Sequence, residues 1–84
     1  MQPKELVIVP YGDDLCFTHF YQGKPHLVKV TAEALAGIRV AKAQSTSRVE
    51  TLRKNLKSII IIAERKVDNG EIPVVYLRDV TAEG

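Results

Sequence analysis

The chain has 84 residues, 45% of them hydrophobic, with a mild formal net charge of +2 and one cysteine, Cys16. That length suits one hydrophobic core, so a single α+β domain over residues 1–84 is expected, and the apolar content is too high for a disordered chain. A lone cysteine excludes an internal disulfide, and the longest apolar run, residues 59–63, is too short for a membrane span or a leader; a reducing cytoplasmic compartment without membrane attachment is the expectation.

Taken in order, Leu6, Val7, Ile8 and Val9 form an aliphatic run closed by Pro10, and residues 15–21 are rich in β-formers. Tyr11-Gly12-Asp13-Asp14 supplies turn chemistry between them, which predicts a hairpin. Gln22-Gly23-Lys24-Pro25 then separates Tyr21 from a run over residues 26–30, with Gly23 free to take positive φ, so a three-stranded meander is expected.

Thr31 is placed to cap an alanine-rich helix over residues 32–44 that contains Gly37. After the break at Ser45-Thr46-Ser47, Ser47 and Glu50 match a capping box for a second helix with Val49, Leu52 and Leu56 on one face. Leu56, Ile59, Ala63 and Val67 keep helical spacing, but four consecutive isoleucines, residues 59–62, suit a pleated surface better, and a strand over residues 58–66 is favoured. Asp68-Asn69-Gly70 then reads as a hairpin turn into a last strand over residues 72–80, placed at an edge because Pro73 cannot donate to a ladder. The resulting order, β-β-β-α-α-β-β, predicts an antiparallel sheet of about five strands with two helices on one face.

Three strings invite a chemical reading. Tyr11-Gly12-Asp13-Asp14 is similar to the metal-binding hairpin of RNA-dependent RNA polymerases, where paired carboxylates hold divalent ions. The similarity covers four residues, and 84 residues leave no room for the rest of a polymerase, so a turn is the expectation. Cys16 and His19 would form a thiol–imidazole dyad only if they met, yet residues three apart on a strand point to opposite faces. His19, Tyr21 and His26 share a face if the intervening loop has two residues, with His19 opposite His26 in one register, but no further ligand is placed beside them. No catalytic residue, metal site or cofactor is expected.

Charge is distributed unevenly. Residues 1–38 sum to −1, residues 39–57 to +5 and residues 58–84 to −2. The positive segment contains Arg39, Lys42, Arg48, Arg53, Lys54 and Lys57 against Glu50 alone, and no aromatic residue interleaves with the bases. These six residues are the candidate partner-binding surface. The reading is a small non-catalytic protein-binding or regulatory module, of adaptor or inhibitor type, acting on an acidic protein through the basic helical face or an open sheet edge. Nucleic-acid binding by the same segment is the alternative, and an open edge would also suit homodimerisation.

Overall fold

The computed structural model describes residues 6–43 and 46–82. A four-stranded sheet runs in the order β1 (Val9–Tyr11), β2 (Asp14–Tyr21), β3 (Lys24–Val30) and β4 (Val74–Val75). The meander follows from its turns. Gln22 and Gly23 both adopt positive φ, 54° and 77°, which is the backbone of a two-residue turn whose twist matches the flanking strands. That turn sets His19 opposite His26 and Leu15 opposite Val30. One face therefore presents Leu15, Phe17, Val28 and Val30, all buried. β1 begins later than the aliphatic run suggests and includes Pro10, which an edge strand tolerates.

Among the described residues the sheet is mixed and has four strands, where an antiparallel sheet of about five was expected. β4 runs parallel to β3, pairing Val74 with Lys29 and Val75 with Val30. The Lys29 N–H donates to Pro73 O and the Thr31 N–H to Val75 O, each at 3.1 Å. Parallel pairing requires a long crossover, and the helices between β3 and β4 provide it.

Among the described residues there are four helices where two were expected. Thr31 caps α1 (Ala32–Ala41), its Oγ1 accepting from the Ala34 N–H at 3.1 Å. The helix stops at its cap Lys42, with Ala43 at φ 51°, short of the expected end at residue 44, which lies outside the described residues. Ser47 caps α2 (Arg48–Lys54) as its spacing to Glu50 implied, and Asn55 joins α2 to α3 (Leu56–Asp68).

Residues 58–66 are thus helical and not a strand. In this helix Ile59, Ile62, Ala63 and the stem of Lys66 recur on the face turned to the core, while Ile61 points out. Each fully buried isoleucine contributes roughly 2 kcal/mol, which outweighs a β-branched propensity cost of about 0.5 kcal/mol. Asp68-Asn69-Gly70 is correspondingly a helix stop and not a hairpin. The Gly70 N–H donates to Val67 O at 3.0 Å and the Glu71 N–H to Lys66 O at 2.8 Å, with Gly70 at φ 74°, the pairing of a Schellman motif.

The expected last strand over residues 72–80 shrinks to Val74–Val75, after which α4 (Leu77–Ala82) begins. Asp79 explains the switch, because its carboxylate accepts the Tyr76 N–H at 2.8 Å and so holds the first turn of α4. α4 packs on α1 at Gly37, where an added Cβ would lie 2.5 Å from Leu77 Cδ1. Phe17, Leu35, Leu52, Ile59, Val28, Val30 and Val75 fill the space between the inner face of the sheet and the helices. Among the described residues, no helix is long and apolar enough to cross a membrane.

Candidate functional site

The two aspartates of the first turn hold the fold together at its corner. Asp14 Oδ1 accepts the Ala32 N–H at 2.9 Å, at the start of α1, and its Oδ2 lies 3.6 Å from Lys29 Nζ. Asp13 meets Arg48, whose Nη1 donates to the Asp13 carbonyl at 2.9 Å and sits 3.7 Å from its carboxylate. Each acid thus has its own basic or N–H neighbours, which is the turn reading of this string. Cys16 lies on the outer face of the sheet and His19 on the inner one, so the dyad geometry is absent. Burial raises the Cys16 thiol above its ordinary pKa, assisted by Asp14 and opposed by Lys29, which favours the unreactive protonated form.

The two-residue turn brings His19, Tyr21 and His26 together, and α3 adds two acids that the sequence did not place there. His19 Nε2 lies 2.7 Å from Glu64 Oε2. The Tyr21 hydroxyl donates to both Asp68 oxygens, at 3.0 and 2.9 Å, and the Gln22 amide reaches the same carboxylate at 3.4 Å. That hydrogen bond to Asp68 raises the Tyr21 pKa. The Tyr21 ring centroid is 6.3 Å from that of His19 and 6.4 Å from that of His26. These contacts fasten the far end of the hairpin to the far end of α3. Among the described residues, no three His, Cys, Asp or Glu side chains gather as a metal site would require. Glu64 and Asp68 became partners of the hairpin only because residues 58–66 are helical. Their spacing of four, one helical turn, was the signal available in the sequence.

The six candidate bases divide into two groups. Arg48 is engaged by Asp13, and Arg39 is half-buried on α1 with its Nε enclosed and without an acceptor among the described residues. Arg53 and Lys54 end α2, and Lys57 begins α3; all three are exposed. Among the described residues no carboxylate lies within ion-pair distance of these three, since the described pairs join His19 to Glu64, Lys29 to Asp14, Arg48 to Asp13 and Lys66 to Asp79. Glu50, the one acid of the segment, accepts from the Ser47 hydroxyl at 3.4 Å. Lys42, the cap of α1, is exposed as well and lines a shallow cleft of about 140 Å³ together with Asn55 and Ser58 at the α2–α3 joint, the chain neighbours of Lys54 and Lys57. The result is a solvent-facing basic corner made of Lys42, Arg53, Lys54 and Lys57.

Comparison with protein families, curated proteins and solved structures gives no match in any of the three. The functional reading therefore rests on this chain's own surfaces.

Proposed function

We propose that the protein is a small non-catalytic binding module of adaptor or inhibitor type that docks on an acidic protein surface through its basic corner. The observation that carries this reading is the exposure of Arg53, Lys54 and Lys57, with no carboxylate within ion-pair distance among the described residues, while Lys29, Arg48 and Lys66 have carboxylate partners. Uncompensated charge of one sign raises the rate and selectivity of encounter with the opposite sign. Holding the charges at the junction of two packed helices also limits the entropy lost on binding.

Nucleic acid is the competing anion, and the same corner would neutralise phosphates. Two features favour a protein partner. No aromatic side chain belongs to the 39–57 segment to stack on bases, and two of its six cations, Arg39 and Arg48, are half-buried or turned to Asp13. The test is affinity capture of the tagged chain from its native host, with and without nuclease, followed by mass spectrometry. A stoichiometric protein that survives nuclease, and is lost with Arg53→Gln/Lys54→Gln/Lys57→Gln, is the expected outcome. Recovery of nucleic acid alone, or capture indifferent to the triple substitution, contradicts it.

A further inference from the structure

The outer face of the sheet, turned away from the helices, carries apolar side chains that no described element covers. Val9 stands opposite Cys16 and Leu27 opposite Thr18, which puts Tyr11 and Phe20 on this face as well by strand alternation. Val7 is 74% exposed, Phe20 71%, Leu27 64%, Tyr11 64% and Val9 53%. Val7, Val9, Phe20 and Leu27 line one continuous shallow depression. With roughly 150–200 Å² for each such residue when fully exposed, these five leave roughly 600 Å² of surface, about 500 Å² of it apolar. That lies in the upper part of the range for the largest patch on an ordinary monomer, about 300–600 Å².

Charge and area both select the occupant. Asp14 and Lys29 are the charged residues that β1, β2 and β3 place on this face, and they lie 3.6 Å from each other. The face is therefore neutral and offers nothing to attract an acid or a base, but it can meet its own copy about a two-fold axis without like-charge repulsion. Apolar atoms make up about 65% of a homodimer interface, so some 500 Å² of apolar surface corresponds to about 800 Å² per partner. A stable interface needs about 800 Å² per partner. The sheet edges offer less, since β4 has two residues and β1 three including Pro10.

We infer that two copies of the chain pair face to face through Val7, Val9, Phe20 and Leu27, with the two sheets stacked about 10 Å apart as in a β-sandwich. This pairing is independent of the basic corner, which it leaves open on both copies.

Sedimentation equilibrium of the 84-residue chain, from about 1 to about 200 µM, tests it. The expected result is reversible association to twice the 9.3 kDa chain mass. Phe20→Ser/Leu27→Ser is expected to weaken association at least about 100-fold, because it removes two large apolar side chains from the centre of the face in both copies at once. Its circular dichroism should match the parent, since both side chains lie mostly outside the monomer's packing. Val40→Ser/Ile61→Ser, at exposed apolar positions elsewhere, should leave the dimer intact, and dilution should shift the methyl resonances of Val7, Val9 and Leu27 but not those of Val40 and Ile61. A monomer throughout this range overturns the proposal, whatever else the face then binds. So does a dimer that survives Phe20→Ser/Leu27→Ser or is lost with Val40→Ser/Ile61→Ser.

Discussion

Asp79 illustrates how one side chain decides the fate of a segment. It accepts the Tyr76 N–H at the start of α4 and receives Lys66 Nζ at 2.8 Å from α3, with Lys66 and Arg78 both stacked on the Tyr76 ring. Burial by itself would raise its pKa. The hydrogen bonds from Lys66 and the Tyr76 N–H, with the charges of Lys66 and Arg78, more than offset this and hold the carboxyl below its ordinary range. A carboxyl depressed on folding contributes stability above the unfolded value near 4 and loses it as pH falls through the lower folded value. Asp79→Asn should therefore cost about 1–2 kcal/mol in urea unfolding at neutral pH, and less at acid pH as the carboxyl becomes protonated. An equal difference at both pH values would show that the charge is not what acts. Other residue-scale features were readable in advance. The Thr31 and Ser47 caps follow from hydroxyls preceding helical patterns, and strand alternation correctly separated Cys16 from His19. Asp79 was not readable, because its role depends on Lys66, thirteen positions away and on another helix.

At the scale of elements, the first half of the fold lay open in the sequence and the second half did not. The meander is encoded locally, in two tight turns and an alternation that fixes its register. The run Ile59, Ile60, Ile61 and Ile62 is ambiguous locally, since β-branching favours a strand while the spacing from Leu56 to Val67 fits a helix. Burial against Leu52, Leu35 and the inner sheet face decides it, and that information is not local. The same error concealed α4 and turned a Schellman stop into a hairpin. The two assignments make opposite demands on the isoleucines. In a strand Ile59 and Ile61 share a face, whereas in α3 Ile59 and Ile62 do. Ile59→Ala and Ile62→Ala should each cost about 2–5 kcal/mol in chemical denaturation, and Ile61→Ala less than about 1 kcal/mol. Matched losses at 59 and 61, with 62 spared, would restore the strand.

For the whole molecule, composition indicated where positive charge concentrates but not how it is partitioned. Six bases in one segment become a corner of four, because Arg48 turns to Asp13 and Arg39 is half-buried; a helical wheel contains neither fact. The apolar outer face was missed for a related reason. Its signal was present, since Leu15 and Phe17 facing inward oblige Phe20 to face outward, but an outward apolar side chain gains meaning only when its neighbours on adjacent strands are known. The molecule thus presents two unlike surfaces, a charged corner over the helices and a neutral apolar sheet face on the opposite side. The central claim, that the corner is the partner-binding surface, is tested most directly by lysine-labelling mass spectrometry on the free protein and on its captured complex. Lys54 and Lys57 should lose most of their reactivity in the complex while Lys24, at the hairpin tip, keeps its own. Labelling of Lys54 and Lys57 at the free rate in the complex would contradict it.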